Sequence, residues 1–277
     1  MLKTEIEKYK NKAKQLRKDI LKMTTKANAG HVTSSFSCTE LFVALYYGGL
    51  LKYDADNPKW ENRDYFIYSK GHASPIIYCV LADLGFFPKE ELDFFAQAGG
   101  KFGVLLKADV PGVEITSGSL GHGLGIAAGI AEGFVLDKKK NKVFCMLGDG
   151  ECREGSVWEA AMHIGSRNLR NIITIVDKNQ LAAVHFTEEE APIEPLDKKF
   201  EACGFEAFRI NGHNFSEIFS AFNEVERRNV PCVIIAETTK GKGVSFIENK
   251  PLMHGCAVGE RDLEKALAEV EKGLLYE

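Results

Sequence analysis

Two short apolar segments that each end in a cluster of polar residues constrain the fold of this chain more than any other feature. Residues 143–147 (VFCML) are followed by 148–151 (GDGE), and residues 171–176 (NIITIV) are followed by 177–180 (DKNQ). Between them, over residues 157–164, apolar residues recur at the spacing of a helix. Short apolar runs joined through a helix are typical of parallel strands with a crossover connection. Both polar clusters are therefore predicted to lie at the same edge of a parallel sheet.

These polar clusters contain the groups that a divalent cation and a phosphate need. Ligands of open α/β sheets bind beyond the carboxyl ends of the strands, where this chain offers the Asp149 carboxylate, the Asn179 amide oxygen and glycine backbone. Mg²⁺ prefers such oxygen ligands and completes its octahedron with water and phosphate oxygens. A simple strand-ending turn is the alternative interpretation of residues 148–150. The placement of Asn179 after the next strand favours a metal and diphosphate site.

Strand-like and helix-like segments alternate along most of the chain. Strands are predicted at 65–68, 143–147, 171–176, 205–210 and 232–237, and helices at 41–47, 124–136 and 215–227. Residues 86–107 are predicted to be irregular because they combine three glycines with mixed charges, and residues 239–243 are predicted to be a glycine-containing loop. This alternation predicts an α/β fold with three layers (α/β/α), in which helices cover both faces of a mainly parallel sheet.

The start of the chain predicts an amphipathic helix. Apolar residues recur there at alternating steps of four and three, namely Leu2, Ile6, Tyr9, Ala13, Leu16, Ile20 and Met23. No interdomain linker or internal repeat interrupts the rest of the sequence. We therefore expect residues 1–277 to form a single domain with an N-terminal helical arm.

Composition excludes several classes of protein. The chain is 45% hydrophobic and 27% charged, and it contains no apolar stretch long enough to span a membrane, so we expect no membrane partner. A net charge of −4 without a basic patch argues against nucleic acid as a partner. Seven cysteines without a Cys-x-x-Cys pair argue against disulfides and zinc, and favour a reducing cytoplasm.

Three of the seven histidines share a local pattern. His31, His72 and His254 each lie next to a glycine at a junction between segments, where an imidazole can face a ligand. For any one of them, a structural role is an equally good interpretation. Common catalytic motifs are absent: there is no Gly-x-Ser-x-Gly, and Ile126 stands where a dinucleotide fingerprint requires glycine. Lys242 lacks the glycine-rich loop of a Walker motif and is predicted to lie at the surface.

Taken together in order, these motifs match a known family. They are Gly30-His31, Ser69-Lys70-Gly71-His72, Pro111-Gly112-Val113-Glu114, Ser117-Gly118-Ser119-Leu120-Gly121, Gly148-Asp149-Gly150, Glu154-Gly155, Asp177-x-Asn179, Glu194-Pro195-Leu196, Thr239-Lys240-Gly241-Lys242-Gly243-Val244 and His254-Gly255. From the first helix to His254, the chain resembles the N-terminal half of transketolase. It resembles the N-terminal subunit of split transketolases more closely.

The resemblance implies a thiamin diphosphate-binding fold, with thiamin diphosphate and a metal ion, Mg²⁺ or alternatively Ca²⁺ or Mn²⁺, as cofactors. It implies that Asp149, Asn179 and the carbonyl of Leu181 bind the metal. The residues it assigns to the cofactor are His72, Gly118, Leu120, Asp149, Gly150, Asn179, Leu181 and His254. It assigns catalysis to His31, His72, His254 and Glu154, with His31 and His72 facing the substrate and moving protons. Glu154 would join a network of carboxylates across a subunit contact.

The implied activity is the transfer of a two-carbon ketol unit from a ketose or its phosphate to an aldose or its phosphate. By the same resemblance, the chain would act only with a C-terminal subunit that supplies the pyrimidine-binding domain, in an α2β2 assembly. Two alternatives remain open. One is a subunit of another thiamin enzyme, similar to 1-deoxyxylulose-phosphate synthase or to 2-oxoacid decarboxylases. The other is a cofactor-binding subunit without catalysis.

The chain departs from the transketolase pattern in the segment expected to contact the donor sugar. The family carries a Gly-His-Pro between the positions of His72 and His122, whereas this chain has Val104 and Leu105 at the nearest positions. Thr33-Ser34 also replaces a glycine pair, and His122 stands where glutamine is usual. We expect the chemistry to be retained and the preferred donor to differ.

Overall fold

The computed structural model describes residues 2–183 and 185–273. Their sheet has five parallel strands in the spatial order β1-β2-β3-β5-β4. The strands are β1 (Tyr65–Tyr68), β2 (Val143–Gly148), β3 (Ile172–Lys178), β4 (Glu206–Asn211) and β5 (Cys232–Glu237). All five predicted strands are confirmed to within two residues at their ends.

Helices connect and cover these strands. They are α1 (Lys3–Ala27), α2 (Val32–Ser37), α3 (Thr39–Tyr47), α4 (Ser74–Asp83), α5 (Gly123–Leu136), α6 (Gly155–Ser166), α7 (Thr187–Glu190), α8 (Leu196–Ala202), α9 (Phe215–Val225) and α10 (Glu260–Lys272). Short 3₁₀ turns occur at Gly71–Ala73, Lys89–Phe94, Gly150–Arg153 and Pro251–Met253. None of the helices in the described ranges combines the length and the apolar character that crossing a bilayer requires.

The core lies on both faces of the sheet, as the alternation of side chains along a strand requires. On β2, Phe144 and Met146 pack toward α1, α3, α4 and α9, whereas Cys145 and Leu147 pack toward α5, α6 and α8. Burial on both faces explains why this strand is a continuous apolar run. The predicted three-layer α/β/α architecture with a parallel sheet is therefore confirmed.

Helix α1 confirms the amphipathic pattern predicted for the start of the chain. Ala13, Leu16 and Ile20 are fully buried against the core. Arg17 is buried on the same face, which the apolar spacing did not predict, because its charge is neutralised by Glu40 of α3. The helix ends at Asn28, which takes a left-handed conformation.

Some boundaries differ from the sequence prediction. The serines at 34, 35 and 37 lie in helix α2, where the hydroxyls of Ser35 and Ser37 donate to the carbonyls of His31 and Ser34. Strand β3 continues through Asp177 and Lys178 because its partner β5 also continues, pairing Lys178 with Glu237. The polar cluster at 177–180 therefore begins inside the strand, and Asp177 is fully buried.

Candidate functional site

A cavity of about 260 Å³ opens at the carboxyl edge of the sheet, where the ends of β1, β2, β3 and β5 meet α2 and the glycine-rich loop before α5. The structure thus places the two polar clusters at one edge, as predicted. Eight residues selected from the sequence line the cavity: His72, Gly118, Leu120, Asp149, Gly150, Asn179, Leu181 and His254. A larger cleft of about 580 Å³ lies elsewhere, around Arg63 and residues 108–114, and its lining contains no histidine.

Three imidazoles meet at the cavity. The ring centroids of His31 and His72 are 5.1 Å apart, those of His31 and His254 are 5.1 Å apart, and those of His72 and His254 are 5.2 Å apart. His31 precedes α2, His72 lies within the 3₁₀ turn Gly71–Ala73, and His254 follows the 3₁₀ turn Pro251–Met253. The glycine beside His72 allows close packing, since a Cβ on Gly71 would lie 1.9 Å from the Ser117 hydroxyl oxygen. The structure therefore brings the three glycine-flanked histidines together.

The environment keeps these imidazoles neutral. Burial and the nearby ammonium groups of Lys240 and Lys70 lower the pKa of His31. The same effects hold the pKa of His72 well below its usual range and lower the pKa of His254 to about 3. Neutral imidazoles can both accept and donate protons at neutral pH, which general acid–base chemistry requires.

Asp149 joins the ends of β2 and β3. It is buried, and its two carboxylate oxygens accept hydrogen bonds from the backbone N–H groups of Gly150 (2.9 Å) and Gln180 (2.6 Å). Burial and the neighbouring Asp177 raise the pKa of Asp149 to about 6. A nearby cation would favour the ionised carboxylate, because an opposite charge stabilises the charged form.

A second buried carboxylate, Asp177, lies beneath the cavity and is fully paired. It accepts hydrogen bonds from the Lys70 ammonium, the Ser37 hydroxyl and the Thr238 hydroxyl. Burial alone would raise the pKa of Asp177, but Lys70 and these hydrogen bonds lower it. The sequence drew attention to Asp149 and Asn179, whereas the Lys70–Asp177 ion pair between the ends of β1 and β3 was not predicted.

Lys240 brings another positive charge to the cavity. Its buried ammonium donates to the carbonyls of Leu181 (3.2 Å) and Ala182 (3.0 Å), and it lies 2.7 Å from Nδ1 of His254. Burial and the proximity of Lys70 lower the pKa of Lys240 to about 8. Sequence reasoning considered Lys242 and missed Lys240. A lysine beside glycine directly after the last strand of the sheet was the available signal.

Glu151, rather than Glu154, lines the cavity. Its buried carboxylate accepts hydrogen bonds from the Ser69 hydroxyl and from the backbone N–H groups of Gly121 (2.9 Å) and Gly148 (3.1 Å). Glu154 begins α6 and is exposed. Its assignment to a subunit contact stays a prediction.

Polar atoms at the cavity point to a polar ligand. Within the described ranges, the hydroxyl of Ser34 and Nδ1 of His31 are buried without a hydrogen-bond partner, and Ser34 lines the cavity. Buried polar atoms without partners are costly and call for an explanation such as a bound group. The same described residues contain no cluster of three His, Cys, Asp or Glu side chains arranged for a metal. The predicted donor set instead combines one carboxylate with amide and carbonyl oxygens.

The segment expected to contact the donor lies beside this cavity. Leu105 packs directly on Gly118, since a Cβ on Gly118 would lie 2.8 Å from Cδ1 of Leu105. Val104 and Leu105 are both partly exposed, and their carbonyls accept hydrogen bonds from Ser74 and Tyr78. An apolar side chain therefore lies next to the cavity where the family pattern has histidine.

Comparisons with known proteins identify the family of this chain. The family model described as "Transketolase, thiamine diphosphate binding domain" matches residues 8–271. A 6-deoxy-6-sulfo-D-fructose transketolase subunit SqwG from Clostridium sp. (strain MSTE9) is 38% identical over 95% of this chain and 96% of its own length. One subunit of an apulose-4-phosphate transketolase from Actinobacillus succinogenes is 37% identical over 96% of each chain.

A solved structure shows the same fold. The transketolase from Campylobacter jejuni superposes with a TM-score of 0.88 at 33% identity, covering 98% of this chain. This chain spans 43% of that larger transketolase chain. The chain therefore belongs to the transketolase family of transferases and corresponds to its thiamine diphosphate binding domain.

Proposed function

We propose that this chain is the cofactor-binding subunit of a split transketolase. In this role it transfers a two-carbon ketol unit from a ketose or its phosphate to an aldose or its phosphate. The observation that carries the proposal is the triangle of neutral histidines His31, His72 and His254 beside a cavity lined by Asp149 and Asn179. It combines groups that move protons with groups that hold a diphosphate.

The cavity fits thiamin diphosphate with a divalent cation. Asp149 would supply the carboxylate ligand, with Asn179 and the Leu181 carbonyl as neutral oxygen ligands, which suits Mg²⁺. The ammonium groups of Lys70 and Lys240 would offset the negative charge of the diphosphate, and the free Ser34 hydroxyl has a hydrogen bond to give. Thiamin diphosphate supplies, when bound, a nucleophilic carbon and an electron sink.

The histidines then provide the proton transfers that ketol transfer needs at the substrate oxygens. His31 keeps an unpaired ring nitrogen, and the Lys240 ammonium donates to Nδ1 of His254, which leaves the proton of His254 on Nε2. A neutral imidazole can give a proton to a developing alkoxide and take one back when the bond breaks. Gly118 and Leu120 line the same cavity, where the resemblance places the pyrimidine of the cofactor.

A partner subunit would complete the active site. The related subunits named above match this chain over 96% of their length, whereas the single-chain transketolase is more than twice as long. We infer that a separate C-terminal subunit supplies the part of transketolase that this sequence does not match, in an α2β2 complex in the cytoplasm. The exposed Glu154 is available for a contact between subunits.

The donor is a ketose whose recognition does not depend on a histidine in the segment at 104–105. The two related subunits carry names that refer to different sugars, a 6-deoxy-6-sulfo-fructose and apulose 4-phosphate. Leu105 beside Gly118 offers an apolar contact instead of a hydrogen bond. We therefore propose a non-standard ketose or ketose phosphate as the physiological donor.

The test is reconstitution. The chain is purified alone and together with a candidate C-terminal subunit from the neighbouring open reading frame, and both samples are titrated with thiamin diphosphate with and without Mg²⁺ in a calorimeter. We expect Mg²⁺-dependent binding and ketol transfer by the complex, and negligible transfer by the chain alone. Robust turnover by the isolated chain would refute the need for a partner, and absence of cofactor binding by the complex would refute the proposal as a whole.

A further inference from the structure

A buried chain of polar contacts connects α1 to the loop that carries Lys240. Arg17 of α1 and Glu40 of α3 are both fully buried, and two guanidinium nitrogens of Arg17 donate to the Glu40 carboxylate at 2.7 and 2.9 Å. Nδ1 of His213 lies 2.9 Å from the same carboxylate. The backbone N–H of Thr239 donates to Nε2 of His213 at 2.8 Å. None of these residues lines the cavity.

These contacts fix the tautomer of His213. Its Nε2 accepts the Thr239 N–H and therefore carries no proton, so the proton lies on Nδ1 and is donated to Glu40. Burial opposes ionisation of Glu40, but Arg17 and His213 hold the pKa of that carboxyl well below its usual range. Glu40 thus remains an acceptor, and both nitrogens of the imidazole are occupied. The imidazole of His213 therefore links the ionised Glu40 of α3 to the backbone amide of Thr239.

That amide immediately precedes Lys240. The Thr238 hydroxyl donates to Asp177, and the Gly241 N–H donates to the Thr33 carbonyl at 2.9 Å. The hydrogen bond from the Thr239 N–H to His213 lies between these two hydrogen bonds along the chain. These three hydrogen bonds, made by Thr238, Thr239 and Gly241, hold the backbone on both sides of Lys240. They therefore determine where the Lys240 ammonium reaches the cavity.

We propose that His213 is a positioning residue for the proposed cofactor site, acting through the Thr239 amide to set Lys240 against the diphosphate. This inference rests on the proposed function only for the identity of the ligand, thiamin diphosphate. The His213 contact is separated from the cavity by Lys240, so the residue does not touch cofactor or substrate.

Two substitutions separate positioning from simple stabilisation. In His213→Asn, the amide nitrogen can take the place of Nδ1 and keep the bond to Glu40, but the side chain is too short to accept from Thr239. In His213→Gln, the amide oxygen can take the place of Nε2 and accept from Thr239, while the bond to Glu40 is lost. If His213 serves only the stability of the fold, the more stable variant should also bind the cofactor more tightly. If His213 positions Lys240, the variant that keeps the bond to Thr239 should bind the cofactor more tightly even though it is the less stable one.

The experiment uses the complex of this chain with its partner subunit. Thiamin diphosphate affinity is measured by calorimetry in the presence of Mg²⁺, and stability is measured by urea unfolding, for wild type and both variants. One neutral hydrogen bond corresponds to about a three- to tenfold change in affinity. We expect His213→Asn to bind about three- to tenfold more weakly than His213→Gln although it is the more stable of the two. Equal affinities, or affinities that follow the order of stability, would overturn the proposal.

A measurement on the wild-type protein keeps the inference testable if a variant fails to fold. The ¹⁵N chemical shifts of His213, assigned by their loss in His213→Gln or by selective labelling, should show a protonated Nδ1 and an unprotonated Nε2. The opposite tautomer would overturn the proposal. This readout needs no ligand, so it tests the hydrogen bonds of His213 separately from any failure of the wild-type complex to bind thiamin diphosphate, which would count against the proposed function alone.

Discussion

Two buried polar clusters of this protein differ in how completely their groups are paired. In the cluster of Arg17, Glu40 and His213, each carboxylate oxygen and each ring nitrogen has a hydrogen-bond partner. The hydroxyl of Ser34, which lines the cavity, and Nδ1 of His31, which packs on the cavity residues His72 and His254, are buried without a partner among the described residues. An unsatisfied buried group costs free energy, and a ligand bound in the cavity would supply a partner for such a group. The comparison therefore separates a cluster that serves the fold from one that serves a ligand.

The first prediction tests the difference between the two clusters by removing the Asp149 carboxylate from the cavity. Asp149→Ala should abolish Mg²⁺-dependent binding of thiamin diphosphate, with affinity falling by more than about a hundredfold, because Asp149 is the anion of the proposed metal ligands. Burial raises the pKa of Asp149 to about 6, so its ionised form, which still predominates at neutral pH, is less stable in the cavity than in water. Loss of the hydrogen bonds from Gly150 and Gln180 should lower the free energy of unfolding of the cofactor-free variant by about 1–3 kcal/mol, and removal of the buried charge partly offsets this loss.

Calorimetry and urea unfolding on the complex measure these two quantities. The matched control is Asp137→Ala, the same change at an exposed position after α5. Unchanged cofactor affinity in Asp149→Ala would contradict the metal site. A large loss of stability would contradict the division between the two clusters.

The second prediction concerns the histidine triangle. His31→Ala should lower kcat of the complex by about 10² to 10⁴, the usual contribution of a positioned acid or base. The affinity for thiamin diphosphate should change by only a few fold, because His31 packs on His72 and His254 without lining the cavity. The control is His163→Ala, since His163 lies on the exposed surface of α6. If kcat of His31→Ala equals that of wild type, His31 has no role in proton transfer.

The third prediction tests the paired cluster. Glu40→Gln should lower the free energy of unfolding by about 3–5 kcal/mol, because it leaves the buried charge of Arg17 without its counterion. The folded-state pKa of Glu40 is lowered, so the ionised carboxylate contributes stability above its unfolded pKa, and this contribution is lost as pH falls. The difference between wild type and variant should therefore shrink below about pH 4.

Urea unfolding at pH 7 and at about pH 3 measures that difference. Glu61→Gln, at an exposed position before β1, serves as the control and should leave stability unchanged within about 0.5 kcal/mol. A difference that grows on acidification would contradict the assigned direction of the Glu40 pKa.

The comparison also shows how far sequence reasoning reaches. The strands and the ligands at their ends could be predicted, because apolar runs and the residues that follow them are local features: Asp149 and Asn179 each follow a strand directly. The contacts of His213 could not, since Glu40 lies 173 residues away in sequence and nothing local pairs the two.

Local backbone geometry also limited how well the site residues could be predicted from the sequence. Glu151 and Glu154 are only three residues apart, and both follow the same strand. The 3₁₀ turn at Gly150–Arg153 directs Glu151 toward Gly121 and leaves Glu154 at the surface. Which of two nearby carboxylates enters a cavity depends on the handedness and tightness of the turn between them, which the sequence pattern does not specify.

The smallest expected effect concerns donor choice, at the edge of the cavity. Leu105 lies against Gly118 and cannot form a hydrogen bond to a donor hydroxyl. A neutral hydrogen bond contributes about 0.5–1.5 kcal/mol, so its absence corresponds to at most about a tenfold loss in kcat/KM. The wild-type complex should use xylulose 5-phosphate less well than an ordinary transketolase does and should prefer another ketose.

Leu105→His should raise kcat/KM for xylulose 5-phosphate by up to about tenfold, whereas Val104→His serves as the matched control. Steady-state kinetics with a panel of ketoses measures these ratios. If wild type prefers xylulose 5-phosphate over every alternative and uses it as well as an ordinary transketolase, the segment at 104–105 does not set donor choice.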